Sequence, residues 1–277
     1  MSLIGLPTRA PRALDQRVVL VSGAHGGLGS AAAVACAAAG ATVVLLGRKV
    51  PKLNRVYDAV AKVGAEPLLY PLDLEGATPD DYAELADRLH AELGRLDGVL
   101  HCAAEFKGLT PLEHTDPAAF ARVVHVNLTA PWWLSQACLP LLKQSDDAAL
   151  VFSVDDLARV GQAYWGAYGV AQHGLTSLVG MLHAELATST IRVSALQPGP
   201  MRTGLRSRAY ADDTDAQARD FRGAAQVLAG AGLCGVCASE DAGGLALGIE
   251  FALPIVAEAG KLRLQWPLLE TILIAKA

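Results

Sequence analysis

Residues 18–48 decide the fold, and they read V-V-L-V-S-G-A-H-G-G-L-G-S-A-A-A-V-A-C-A-A-A-G-A-T-V-V-L-L-G-R. An apolar run at 18–21 leads into glycines at 23, 26, 27 and 29, an alanine-rich segment follows, and a second apolar run at 42–46 ends at Gly47 and Arg48. This pattern predicts a strand, a glycine turn, a helix and a second strand. Glycines at a strand-to-helix junction let the backbone approach a pyrophosphate, and the helix N-terminus offers N–H groups to it. Residues 18–48 therefore predict a nucleotide-binding unit.

The same alternation continues along the chain. Predicted strands cover residues 17–22, 42–46, 67–72, 98–102, 149–154 and 191–196, with helical patterns between them. Thr78-Pro79 and Asp116-Pro117 are typical of an N-cap followed by proline at the first helical position. The alternation predicts an α/β fold, a doubly wound parallel sheet of about seven strands with helices on both faces. Residues 245–251 are the candidate seventh strand, and the lack of a linker or repeat favours one domain over 1–277.

Composition narrows the class of protein. The chain has 277 residues, 52% of them hydrophobic, a mean hydropathy of +0.31 and a net charge of −5. No apolar run reaches the roughly 20 residues of a membrane-spanning helix, and no basic block suggests a nucleic-acid partner. The apolar part of the N-terminus is too short for a signal peptide, so we expect a cytoplasmic location.

The cysteines are five, an odd number, and they are scattered, which favours reduced thiols. Cys234 and Cys237 form a C-x-x-C, which could be a redox pair or half of a zinc site. Two further ligands at close spacing are missing from its neighbourhood, so we expect no metal.

Motifs in residues 15–210 resemble those of the short-chain dehydrogenase/reductase (SDR) family, in the family's order. They are the S-G-x-x-x-G-L-G turn at 22–29, P-L-D-L with Asp73, H-V-N-L-T with Asn127, W-G-A-Y-G-V-A-Q with Tyr168, and P-G-x-x-x-T from Pro198 to Thr203. The W-G-A-Y context is similar to one bacterial subgroup. The resemblance implies a mobile substrate flap at 204–225, whereas residues 228–277 diverge from the family.

The resemblance also implies a nicotinamide nucleotide site and a small-molecule substrate. The implied cofactor-binding residues are Gly23, His25, Gly27, Leu28, Gly29, Arg48, Asp73, Leu74, Ala103, Pro198, Gly199 and Thr203. An arginine after the second strand would pair with the 2′-phosphate of NADP, whereas an acidic residue would bind the 2′-hydroxyl of NAD. We therefore expect NADP(H) to be preferred over NAD(H), unless Arg48 is only an exposed loop residue.

The family's active site is altered in this chain. Tyr168 and Asn127 stand where the family has its active-site tyrosine and asparagine, but the lysine position is Gln172 and the serine position is Asp155. Losing a cation and gaining an anion both raise the pKa of Tyr168. The family's N-A-G is also changed, to Cys102-Ala103-Ala104.

Three compensations are open. Ser153 is two residues before Asp155 and faces the same side of a strand; Asp155 could carry a proton; and His173 adjoins Gln172.

Two interpretations follow for the activity. The first is an oxidoreductase of carbonyl or alcohol groups that uses Tyr168 with Asn127, Asp155 and Gln172 around it. The second is a catalytically degenerate protein of the same fold that acts as a nucleotide sensor or a protein-interaction scaffold. In both we expect a homodimer or homotetramer, because residues 118–142 and 168–187 resemble the family's pairing helices. Trp132, Trp133 and Leu134 would add apolar surface there.

Overall fold

Six parallel strands form the main sheet, in the order β3-β2-β1-β4-β5-β6. The structure, a computed structural model, describes residues 14–210, and three later strands as backbone. The strands of the main sheet are β1 (Val18–Ser22), β2 (Thr42–Gly47), β3 (Leu68–Pro71), β4 (Gly98–His101), β5 (Ala148–Ser153) and β6 (Ile191–Leu196). Each lies within one residue of the bounds predicted from the apolar runs, so the predicted doubly wound sheet is confirmed.

Helices connect these strands. They are α1 (Gly27–Ala38), α2 (Val50–Ala61), α3 (Pro79–Leu93), α4 (Pro117–Val124), α5 (Ala130–Leu142), α6 (Leu157–Val160), α7 (Gly166–Glu185) and α8 (Arg206–Ala209). Thr78 and Asp81 form a capping box at the start of α3, and the Asp116 side chain accepts a hydrogen bond from the Ala119 N–H at the start of α4. Both predicted proline starts are thus confirmed.

A π-helical turn, His125–Thr129, separates α4 from α5. The continuous helix expected over 118–142 therefore consists of three consecutive segments. A π turn adds one residue to a helical turn and is frequent at functional sites. Here it carries Asn127.

The core has two layers, one on each face of the sheet. One layer packs α3, α5 and α7 against the sheet, with Tyr82, Leu134 and Phe152 fully buried, so the expectation that Leu134 adds surface for pairing is wrong. The other layer packs α1 and α2 against the sheet, with Leu45 and Leu53 fully buried. Strand order reverses between β1 and β4, and in open α/β sheets ligands bind in the crevice outside the carboxyl ends of the strands at such a point. The carboxyl ends of β1, β4 and β5 carry the residues of interest.

Beyond residue 210 the described backbone consists of three antiparallel strands, β7 (Ile255–Glu258), β8 (Lys261–Trp266) and β9 (Leu269–Leu273), which form a separate sheet. The candidate strand at 245–251, Cys234 and Cys237, and residues 211–225 of the predicted flap lie outside the described residues. The single-domain organisation stays a prediction. Within the described part of the chain, no helix has the length and apolar character to cross a membrane, and no cluster of acidic, His and Cys side chains could hold a metal ion.

Candidate active site

The glycine turn between β1 and α1 is closed so tightly that side chains are excluded from it. Gly23 has φ +65°, and a Cβ there would lie 2.6 Å from the Cα of Ala103. A Cβ on Gly29 would overlap the carbonyl oxygen of Gly23. The residue before the helix, Gly26, has no side chain to cap α1, and the first turn holds no acidic residue. The first N–H groups of α1 therefore have no acceptor within the helix, and the turn fits a dinucleotide pyrophosphate.

A cavity of about 460 Å³ opens at this turn, within the usual size range of small-molecule sites. All predicted site residues line it except Gly29 and Asn127. They are Gly23, His25, Gly27, Leu28, Arg48, Asp73, Leu74, Ala103, Asp155, Tyr168, Gln172, Pro198, Gly199 and Thr203.

At one end of the cavity, Arg48 lies among three carboxylates. Its guanidinium nitrogens are 3.8, 3.7 and 3.7 Å from oxygens of Asp73, Glu75 and Glu105. These contacts balance the arginine charge and hold the side chain at the wall of the cavity. The sequence predicted neither Glu75 nor Glu105 as a partner.

Two lysines beside Arg48 add positive charge at the same end. Lys49 and Lys52 line the cavity, and neither makes an ion pair within residues 14–210. The pKa of His25 is lowered, mainly by burial and then by the charges of Lys52, Arg48 and Lys49. The buried Nδ1 of His25 has no hydrogen-bond partner in the described part of the chain. The run of basic residues that follows Arg48 was the available signal for these lysines.

The reactive end of the cavity holds Tyr168, Asp155 and Gln172, and Asp155 contacts each of the other two. The Tyr168 hydroxyl donates to Asp155 Oδ2 at 3.0 Å, and the Asp155 backbone N–H donates to Gln172 Oε1 at 3.0 Å. The other carboxylate oxygen of Asp155 accepts from the Asp156 N–H at 2.8 Å. The end of β5 and the first turns of α7 thus bring together the three residues that sequence spacing had paired.

This environment keeps the phenol of Tyr168 neutral. The side chain is buried, and the pKa of Tyr168 is raised well above 10.0, first by burial and then by the charge and the hydrogen bond of Asp155. Within residues 14–210 no ion pair or hydrogen bond joins a basic side chain to Tyr168. The expected direction of the shift is confirmed.

Ser153 and His173 are not in hydrogen-bond contact with the tyrosine. Ser153 lines the cavity without a hydrogen bond from its hydroxyl to Tyr168 in the described part of the chain. The Nδ1 of His173 lies 2.8 Å from the Gly169 carbonyl oxygen, within the same helix. These two residues therefore offer Tyr168 no proton partner in this arrangement.

Asn127 is buried beside the cavity and is fully engaged with backbone groups. Its Oδ1 accepts from the Glu105 N–H at 3.0 Å, and its Nδ2 donates to the Glu105 and Val123 carbonyl oxygens at 2.8 and 2.7 Å. The side chain joins the loop after β4 to the π turn. In this geometry Asn127 positions that loop.

A second set of residues at the reactive end was missed by the sequence analysis. Trp165 stacks on Phe106 with ring centres 5.2 Å apart and meets Tyr210 edge-on at 6.3 Å. Three arginines complete this part of the lining, namely Arg159, Arg206 and Arg208. Their positions follow no motif; the only local signal is that Arg159 comes four residues after Asp155.

Comparison with known proteins identifies a family model and several relatives that match this chain. The model of the short chain dehydrogenase family matches residues 17–214. The uncharacterized oxidoreductase YciK of Escherichia coli K12 is 37% identical over 198 residues, which cover 71% of this chain and 78% of YciK. The cis-4-hydroxycyclohexanecarboxylate dehydrogenase of Sinomonas cyclohexanicum is 32% identical over 200 residues, or 72% of this chain and 79% of that protein.

A solved structure agrees with these matches. A protein from Escherichia coli CFT073, crystallised with NADPH, superposes with a TM-score of 0.76 at 34% identity and covers 80% of this chain and 92% of its own. Sequence motifs, sheet order and relatives lead to one conclusion. The chain belongs to the short chain dehydrogenase family.

Proposed function

We propose that the protein binds NADP(H) and interconverts an alcohol and a carbonyl group, with Tyr168 and Asp155 as its proton relay. The observation that carries this proposal is the hydrogen bond of 3.0 Å from the Tyr168 hydroxyl to Asp155 Oδ2, at the wall of the cavity that begins at the glycine turn. A relay needs a donor and an acceptor in direct contact, and this pair has both.

The residues present fit the cofactor. The α1 N-terminus and the tight turn at Gly23 suit a pyrophosphate, and Lys49, Lys52 and Arg48 suit a 2′-phosphate. When bound, a nicotinamide supplies the acceptor or donor of a hydride. The residues of the chain then have only the proton to move.

The order of proton transfers follows from the direction of the hydrogen bond. A substrate alcohol that donates to Tyr168 Oη loses its O–H bond; the tyrosine gains that proton and passes its own to Asp155 Oδ2. Tyr168 stays neutral before and after the transfer, which its raised pKa requires. Asp155 is held for this role by its two backbone contacts, with Gln172 and with Asp156. The relay therefore replaces the ionised tyrosine that the family's lysine would support.

Two of the relatives support the proposal. The Escherichia coli CFT073 protein was crystallised with NADPH, and the Sinomonas protein is named for oxidation of a ring hydroxyl group.

The relay is tested by Asp155→Asn and Tyr168→Phe, alone and combined. Each single change should lower the turnover of alcohols by about 10²–10⁴-fold, the usual contribution of a proton-transfer group. Because the two residues act as one unit, the double variant should be little worse than either single variant. Asp156→Asn is the matched control, since Asp156 caps α6 and does not contact the phenol. Full turnover in Tyr168→Phe would contradict the relay.

Cofactor selectivity has its own test. Arg48→Asp should weaken NADPH binding more than NADH binding, because it places a fourth acid beside Asp73, Glu75 and Glu105. Arg55→Asp, on the exposed side of α2, is the control. Equal affinity for both cofactors, unchanged by Arg48→Asp, would rule out a 2′-phosphate site here.

A second candidate function is nucleotide binding without turnover, as in a sensor. The same hydrogen bond also favours this candidate, because the Tyr168 hydroxyl already donates its proton to the Asp155 carboxylate. In addition, the Gln172 carbonyl oxygen accepts from the Asp155 backbone N–H. A native protein that binds NADPH but turns over none of a broad set of alcohols and ketones would establish this candidate instead.

A further inference from the structure

We propose that the substrate is a carboxylate with an apolar ring, and that Arg159 binds its carboxylate group. This inference deepens the proposed function by naming the substrate class of the same cavity. It depends on the charge of Arg159, which the proton relay does not use, and on the aromatic surface of the reactive end, to which Tyr168 also contributes.

Arg159 lines the cavity, and its side chain has no ion-pair partner among the described residues. It is half-buried in α6, and within residues 14–210 its guanidinium makes no hydrogen bond or ion pair. Asp155 is four residues earlier, yet no ion pair within 4.0 Å joins the two side chains. The planar guanidinium is suited to bidentate recognition of a carboxylate, and its partial burial strengthens such a contact.

Among the described residues that line this end of the cavity, basic side chains outnumber acidic ones. Arg208 donates to the carbonyl oxygen of Phe106 at 2.6 Å, a neutral acceptor that does not cancel its charge. Arg206 lies over the ring of Tyr210 at 4.7 Å. Among the described lining residues at this end, Asp155 alone is acidic, while Asp73 and Glu105 contact Arg48 at the other end.

The position of Arg159 separates it from the phosphate groups of a dinucleotide. It follows β5, the strand that ends beside Asp155 and Tyr168, whereas the glycine turn follows β1 and the lysines follow β2. An anion at Arg159 would therefore belong to the molecule that meets the tyrosine.

Aromatic side chains next to this cation provide an apolar surface. Trp165, Phe106 and Tyr168 pack on one another, with ring centres 5.2 to 5.9 Å apart, and Trp165 and Tyr168 line the cavity. Val160 of α6 belongs to the same cluster, so Arg159 and the aromatic rings are parts of one wall. A ring with a carboxylate on one side and a hydroxyl or carbonyl on the other suits this arrangement of apolar surface, cation and relay.

The test compares two ligands of nearly equal shape. Cyclohexanecarboxylate and cyclohexanecarboxamide are titrated calorimetrically into the full-length protein, with and without saturating NADP⁺. We expect the acid to bind about tenfold or more tightly than the amide, because a hydrogen bond to a charged group is the stronger one. Arg159→Gln should abolish this preference, Arg159→Lys should retain part of it, and Arg55→Gln should leave it unchanged. The NADP⁺ affinity of all variants should equal that of the native protein.

Several results would overturn the proposal. They are equal binding of acid and amide, no binding of the acid, or an Arg159→Gln variant that keeps the acid preference. Loss of NADP⁺ affinity in Arg159→Gln, together with loss of acid binding, would assign Arg159 to the cofactor and overturn it too. If Arg159→Gln does not fold, the comparison of the two ligands on the native protein and on Arg159→Lys still tests whether Arg159 binds the carboxylate group. Failure of the proposed function gives a different result. The protein would still prefer the acid to the amide, but its turnover would be absent or would not change in Asp155→Asn.

Discussion

Replacing Asp155 by serine, with or without Gln172→Lys, should return ionisation of Tyr168 to an accessible pH. The phenol oxygen and Asp155 Oδ2 are 3.0 Å apart. At an effective dielectric constant of about 20, two unit charges at that distance repel by about 5 kcal/mol. Asp155 is only half-buried, so solvent screens part of this repulsion, and we expect its removal to lower the pKa of Tyr168. Burial of the ring, the largest cause of the raised pKa, remains in the variant.

Gln172→Lys adds a cation one helical turn from the tyrosine, which lowers the pKa further. It also takes away the acceptor of the residue 155 N–H, at a cost of about 1–3 kcal/mol if that group stays buried and unpaired. Asp155→Ser alone avoids this cost, and urea unfolding of each variant measures it.

The assay is the tyrosinate difference spectrum as a function of pH, with the spectrum of Tyr168→Phe subtracted, alongside the pH dependence of alcohol oxidation. In the native protein Tyr168 should remain neutral up to about pH 10 and beyond, so its ionisation should give the oxidation rate no rise in that range. In the variants the rate should fall at neutral pH and then rise as the tyrosine ionises. An unchanged tyrosinate titration in Asp155→Ser would refute the role given to the carboxylate.

Three further predictions concern the cofactor turn, the core and self-association. Gly29→Ala should weaken NADPH binding by more than about tenfold in a fluorescence titration, because its methyl group would meet the Gly23 carbonyl; Gly76→Ala, with nothing within 4 Å, is the control. Burial lowers the pKa of His101 from 6.5 to about 3. Below pH 6.5 the unfolded chain therefore binds a proton at this residue that the folded chain does not bind, and the free energy of unfolding decreases as the pH is lowered. At about pH 4.5 this loss should approach about 2.7 kcal/mol in urea unfolding and be absent from His101→Gln. Light scattering at micromolar concentration should show a dimer or tetramer, because α5 and α7 expose Trp132, Val170 and Met181 by 43%, 56% and 57%.

Much of the framework could be predicted from the sequence because it depends on short-range patterns. Apolar runs between helical segments locate the six strands, and a proline after Thr78 or Asp116 marks where a helix begins. The spacing of Asp155, Tyr168 and Gln172 likewise brings one strand end and one helix face together.

Contacts between distant parts of the chain could not be predicted in this way. Glu105 meets Arg48 only because β4 lies two strands from β2, and nothing local in the sequence encodes that pairing. The direction of the Tyr168 hydrogen bond and the use of the Gln172 carbonyl depend on side-chain torsions set by packing. The position of the Asn127 side chain depends on the π turn, and no distinct residue type marks the extra residue of that turn in the sequence. Arg159 lies within the short α6, and Arg206 and Arg208 lie in the short α8, after an irregular segment that follows β6. Hydrophobic periodicity gives no signal in such short elements.

The Asn127 side chain has a consequence for motion. It binds both backbone groups of Glu105, as a neighbouring strand would, while the Glu105 carboxylate reaches Arg48 near the lysines. The loop after β4 therefore lacks the freedom usual for a surface connection. If this loop opens, the contacts of Glu105 with Asn127 and with Arg48 must break together. We therefore expect local opening of this loop to disturb both ends of the cavity. A ligand that orders one end should then leave less conformational entropy to be lost at the other end, and we expect the two halves of the site to bind cooperatively for this reason.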